Sequence, residues 1–159
     1  MADASTANEA PSEAPLALRA PRSRVEWDRY FDLRWRVLRA PWKQPPGSER
    51  DNLETNAIHA ALWDCDGQPV AVGRVQLNSR TEAQIRYMAV TPGFSGKGLG
   101  SRILAQLEAE ARNAGAATVI LNSRAEARGF YECRGYVVCG EAETLFGQIR
   151  HVLMQKSLA

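Results

Sequence analysis

Three cysteines in 159 residues are too few for a disulfide framework. Cys65, Cys133 and Cys139 show neither C-x-x-C nor metal-ligand spacing, so no metal site is expected. Their odd number fits free thiols in a reducing compartment. The chain also lacks an excess of one charge. It carries 20 Lys and Arg against 18 Asp and Glu, a net of +2, and its basic residues are scattered. That pattern gives no nucleic-acid footprint. No apolar run approaches the roughly 18 residues needed to cross a bilayer. The first residues are polar and acidic, unlike a secretory leader. The expectation is a cytoplasmic protein with no nucleic-acid or membrane partner.

What is present begins after a weak start. Residues 1–14 are rich in Ala, Ser, Glu and Pro and hold no large apolar residue after Met1, so a disordered tail is expected. Residues 15–159 are long enough for one domain with its own core. Leu16–Ala20 reads as a short strand. Trp27, Tyr30, Phe31, Arg34, Trp35 and Leu38 recur at helical spacing behind Ser23, which predicts a helix from about Val25 to Arg39. Ala40–Ala57 is a long, proline-rich loop, with a helical turn expected near Glu49–Leu53.

Ile58–Asp64 and Pro69–Leu77 are β-rich runs joined around Asp66-Gly67, a hairpin signal. Ala83–Val90 is a third strand. Leu99, Ile103, Leu104, Leu107 and Ala111 mark a helix ending at Asn113–Gly115. Then come a strand at Thr118–Leu121, a short helix at Ala125–Cys133, and strands at Tyr136–Cys139 and Ile149–Met154. This order predicts an α/β (α+β) fold. Its centre would be a mixed, mostly antiparallel sheet with helices on both faces.

The densest signal is Met88–Arg102, MAVTPGFSGKGLGSR. A strand ends at Val90, and Gly93, Gly96, Gly98 and Gly100 crowd the turn before a helix. Accessible backbone N–H groups and a helix N-terminus make an anion site. A Walker loop requires Lys and Ser or Thr after the second glycine, but Leu99 follows Gly98. No third glycine stands where a dinucleotide fingerprint needs one. Which phosphate-bearing ligand the site holds stays open on these residues alone.

The pattern V-x-P-x-x-S-G-x-G-x-G resembles the pyrophosphate loop of the GNAT superfamily of acyl-CoA N-acyltransferases. The family frame Gln/Arg-x-x-Gly-x-Gly/Ala falls on Ser95-Gly96-Lys97-Gly98-Leu99-Gly100, with Ser95 a departure. Arg124–Tyr136, RAEARGFYECRGY, resembles the second family signature. Ala127, Phe130, Tyr131, Gly135 and Tyr136 match it, and Arg124 stands where many members have Asn. The resemblance covers about Leu16 to Leu158.

It implies a transferase that moves an acetyl group from acetyl-CoA to a primary amine by direct attack in a ternary complex. The alternative is a catalytically weak acyl-CoA-binding sensor. Tyr131 would be the general acid towards the leaving thiolate. The cosubstrate would lie along Met88, Ala89 and Val90, on Ser95–Gly100 and Ser101, and beside Asn122, Ser123 and Arg124. The usual base position falls near Gln84, which cannot take a proton at neutral pH, leaving His59 as the candidate. Cys133 has no His beside it in sequence and reads as a free apolar thiol. Arg34, Arg36, Arg39, Trp42 and Lys43 would border an acceptor, suiting one with a carboxylate or phosphate. The acceptor could be a small molecule or a protein or peptide amine, and a homodimer is left open.

Overall fold

A computed structural model describes residues 15–159, so the tail expected over residues 1–14 lies outside the described residues. The first elements are β1 (Ala17–Arg19), α1 (Arg24–Leu38), β2 (Ile58–Trp63), β3 (Pro69–Leu77) and β4 (Glu82–Val90). There follow α2 (Leu99–Asn113), β5 (Thr118–Arg124), α3 (Arg128–Glu132), β6 (Val137–Glu141) and β7 (His151–Ser157). The seven strands form one sheet in the order β1-β2-β3-β4-β5-β7-β6. β4 and β5 run parallel and every other neighbouring pair runs antiparallel. The mixed sheet read from the sequence is therefore present.

Two-residue alternation sorts the core onto both faces of the sheet. Ala61, Trp63 and Val72 pack with Tyr30, Phe31 and Leu33 of α1. Ala60, Leu62, Ala71 and Val75 pack with Ile103, Leu104 and Leu107 of α2. A Cβ at Gly73 would stand 2.6 Å from Ile103 Cγ2 and 2.8 Å from Leu107 Cδ1. The glycine is what lets α2 lie this close to β3. Ser23 caps α1 by accepting from the Glu26 amide at 3.2 Å, and the Glu26 carboxylate accepts from the Arg22 amide at 2.8 Å.

Several boundaries differ from the sequence reading. The turn expected at Glu49–Leu53 occurs instead as 3₁₀ turns at Ala40–Trp42 and Glu54–Asn56. The second follows Asp51, whose carboxylate accepts from the Leu53 amide at 2.9 Å. β5 runs on to Arg124 because β7 pairs with it as far as Arg124↔His151. The span Ala125–Cys133 divides into a 3₁₀ turn at Ala125–Ala127 and α3. β7 begins at His151, since Ile149 is bridged to Leu145 instead. Cys65, Cys133 and Cys139 are free thiols, and all three are exposed. No helix among the described residues is long and apolar enough to cross a membrane.

Candidate active site

β4 and β5 pair from Glu82↔Thr118 to Ile85↔Leu121 and no further. β5 stays with β7, and β4 is redirected by a bulge. Val72 opposes Ala89 and Arg74 opposes Arg86, so Gly73 alone faces both Tyr87 and Met88. Tyr87 takes φ = 58°, a left-handed conformation that is costly for a bulky residue. The two parallel strands part, and the gap is a cleft of about 330 Å³. Met88, Ala89 and Val90 form one wall and Asn122, Ser123 and Arg124 the other. Tyr131 of α3 closes one side, and Glu143, Leu145 and His151 approach from the β6–β7 connection.

The glycine turn lies where β4 runs out. Gly93, Gly96 and Gly98 all have positive φ, and nothing lies within 4 Å of a Cβ placed at any of them. Gly98 occupies the N-cap of α2 and supplies no side-chain cap. The first helical amides, from Leu99 to Ser101, therefore have no intrahelical partner. The Ser101 hydroxyl is already engaged, accepting from Arg134 Nε at 3.1 Å. Arg134 also stacks on Phe130 at 3.8 Å and donates to its carbonyl, tying the start of α2 to α3. Lys97 lies 5.2 Å from the Phe94 ring, and Ser95 is exposed on the turn.

Tyr131 points its hydroxyl at Met88 Sδ, 3.7 Å away. Its ring stands edge-on to Phe130 and Tyr136 at 5.0 and 5.7 Å. Burial pushes the phenol up to about 12, so it holds its proton at every physiological pH. Of the two histidines, His151 lines the cleft. Its Nδ1 lies 3.0 Å from the Ile149 carbonyl, which can only accept. The proton of the neutral ring therefore sits on Nδ1 and leaves a lone pair on Nε2.

His59 is not brought to the cleft. Its Nε2 donates to the Glu54 carbonyl at 2.8 Å and its Nδ1 meets the Tyr30 hydroxyl at 2.9 Å. Burial lowers its pKa and keeps it neutral. Arg34 is likewise withdrawn. It is fully buried, pairs with Glu54 at 2.9 Å and donates to the Glu49 carbonyl and the Tyr30 hydroxyl. Its helical spacing with Tyr30 and Phe31 placed it on the inner face of α1, where no acceptor reaches. Arg39 does line the cleft. Trp42 stacks on the Arg124 guanidinium at 4.5 Å, and Lys43 is exposed beyond it. Arg36 pairs with Asp32 on the outer face.

Beneath the bulge lies a charge network that the sequence reading missed. Arg74, fully buried in the middle of β3, binds both oxygens of Asp51 at 2.7 and 2.9 Å and reaches Glu54 at 2.9 Å. Arg86 meets the same Asp51 at 3.1 Å. The Tyr87 ring sits among the guanidinium groups of Arg34, Arg74 and Arg86, 4.2 to 4.9 Å away. The long loop is thereby latched to α1, β3 and the strained strand. Arginine in the apolar run PVAVGRVQL was the available signal, because a buried guanidinium needs acidic partners.

The Arg74 hydrogen bonds hold the Asp51 carboxyl down to about 2, well below its ordinary range. A carboxylate depressed by folding adds stability above its unfolded value, near 4, and loses it as pH falls towards the folded value. Two units correspond to about 2–3 kcal/mol. Asp51→Asn should therefore cost about that much at pH 7 in urea titrations. The gap from the native chain should narrow as pH falls from 5 to 3. A gap independent of pH would mean that the ionised latch is not what stabilises the loop.

Comparison with known proteins gives a consistent result. Residues 45–158 match the acetyltransferase (GNAT) domain family. The chain is 31% identical over 126 residues to the uncharacterized N-acetyltransferase YjcF of Bacillus subtilis (strain 168), covering 79% of this chain and 89% of that one. Among solved structures it resembles an acyl-CoA N-acyltransferase from Pseudomonas aeruginosa, with a TM-score of 0.76 and 24% identity over 89% of this chain and 99% of that one. It also resembles an aminoglycoside 6'-N-acetyltransferase complexed with coenzyme A, with a TM-score of 0.75 and 18% identity over 91% of this chain and 97% of that one. At these identities the two structures testify to the fold alone.

Proposed function

The chain belongs to the GNAT acetyltransferase family and is an acyltransferase, and on that premise we propose that it moves an acetyl group from acetyl-CoA to a primary amine by direct attack in a ternary complex. The observation that carries this reading is the cleft itself. It brings the unpaired end of β4 and Tyr131 into one opening, and the uncapped glycine turn follows directly where β4 ends. Residues from Ser95 to Ser101 would hold the pyrophosphate through backbone N–H groups. The backbone of Met88, Ala89 and Val90 would take the pantetheine arm as an added strand partner, with Asn122 on the far wall. These amides also polarise the thioester carbonyl.

In the transfer, the acceptor nitrogen forms the C–N bond and the C–S bond breaks. The electron pair leaves on sulfur, where the Tyr131 hydroxyl donates a hydrogen bond. The proton lost by the amine passes to Nε2 of His151, the imidazole on the cleft wall. His151 takes the role first assigned to His59, whose two ring nitrogens are both engaged away from the cleft.

The test is thiol release from acetyl-CoA over a panel of primary amines, with acetyl-amide detected by mass. Amine-dependent release is expected, and His151→Gln should slow it at saturating substrates. CoA binding without release for any amine would instead favour the acyl-CoA sensor. Covalent acetyl-protein formed before amine is added would overturn direct attack.

A further inference from the structure

Three arginines line the cleft, and they are not equivalent. Arg86 is neutralised by Asp51. Arg39 and Arg124 pair with no carboxylate among the described residues. Arg39 spends Nε on the Ser48 carbonyl at 3.1 Å and one hydrogen of Nη1 on the Leu38 carbonyl at 3.0 Å, leaving Nη2 free. The Arg124 guanidinium donates no hydrogen bond to any described residue, although it is half-buried. Aromatic faces fix both groups. Trp42 lies 4.5 Å from Arg124, and Tyr87 and Phe146 lie 5.7 and 5.5 Å from Arg39. Burial and the neighbouring guanidinium groups of Arg86, Arg34 and Arg124 disfavour the charge on Arg39.

Two half-buried cations, held in place and left without an anion, form an incomplete ion pair. The acidic side chain on the lining, Glu143, is exposed and pairs with neither. Arg39 is the C-cap of α1, and Arg124 ends β5 opposite His151 of β7, so both guanidinium groups line the same cleft as Tyr131 and His151.

We propose that Arg39 and Arg124, the latter set beside the cosubstrate by the family resemblance, instead anchor a carboxylate of the acceptor, so that the amine acetylated here belongs to the aminocarboxylates. The inference rests on the acetyl-transfer reading and adds the acceptor class to it. A planar, singly charged group matches two guanidinium edges.

The experiment pairs α- and ω-amino acids with their carboxamides, which keep the amine and lose the charge. Phosphoethanolamine serves as the phosphate arm. In the native chain each acid should exceed its amide in kcat/KM by tenfold or more. Arg124→Gln and Arg39→Gln should each bring that ratio close to one while CoA still binds. Arg39→Lys serves if the Gln variant does not fold. Calorimetric titration of acids and amides into the CoA-loaded protein reads the same preference without turnover, so a failure of acetyl transfer does not mask a failure of the anchor. Amides used as well as acids, or an acid preference that survives both substitutions, would overturn the proposal. So would phosphoethanolamine outperforming every amino acid, or an Arg124→Gln variant that loses CoA.

Discussion

Replacing Gly98 by aspartate should abolish the stabilisation that CoA confers on the folded protein. A ligand bound only by the native state raises stability by RT ln(1 + [L]/Kd), about 2.7 kcal/mol at a hundredfold excess over Kd. For a domain of this size that is a melting shift of roughly 5–10 °C. Gly98 sits at φ = 74° on the N-cap of α2, and no atom lies within 4 Å of its would-be Cβ. The substitution therefore meets no clash. Its conformational cost is of the order of 1–2 kcal/mol, which a folded domain tolerates. The carboxylate, however, enters the space that a pyrophosphate must occupy and competes for the same helix-terminal amides. The native chain should show the CoA-dependent shift and Gly98→Asp should show none, with the two apo melting points a few degrees apart. A variant that folds and keeps the native shift would remove the glycine turn from the cofactor site.

The turn was legible because its chemistry is local. Four glycines between a strand and an amphipathic helix specify an uncapped helix start without help from the rest of the chain. α1 and α2 were legible for the same reason, through Ser23 and through the spacing of Leu99, Ile103, Leu104 and Leu107. The latch under β4 was not, because Arg74, Asp51, Glu54 and Arg34 are distant in sequence and meet only when the loop folds back over β3. The bulge at Tyr87 is equally silent. Nothing in EAQIRYMAV distinguishes a residue at φ = 58° from one in a regular ladder. The histidines were exchanged for a related reason. His59 and His151 both stand at the first turn of a strand in the sequence, and only the pairing of β7 with β5 puts His151 on the cleft. Position after the long loop suggested His59, yet that loop turns inward so that the Glu54 carbonyl takes Nε2, and the Tyr30 hydroxyl of α1 takes Nδ1.

Tyr131→Phe should lower turnover by about tenfold to ten-thousandfold, the span of general acid–base contributions, while the dissociation constant of CoA holds. The ring keeps its edge-on contacts with Phe130 and Tyr136, so only the hydroxyl is lost. Its partner in the free protein is a thioether sulfur at 3.7 Å, a weak acceptor that a developing thiolate would displace. The phenol stands at about 12, against about 8.5 for an ordinary thiol. Complete proton transfer to a free thiolate would thus be uphill by roughly 5 kcal/mol. In the proposed transfer Tyr131 would therefore act by donating a strong hydrogen bond while the C–S bond lengthens, keeping its proton until the sulfur acquires one elsewhere. This fixes the pH behaviour. A group protonated throughout does not titrate between pH 6 and 9, so the native-to-variant rate ratio should stay flat across that range. Single-turnover measurements isolate the chemical step. Equal single-turnover rates for the two proteins would take Tyr131 out of the mechanism, and a ratio that falls with rising pH would mean that the phenol ionises in the working complex.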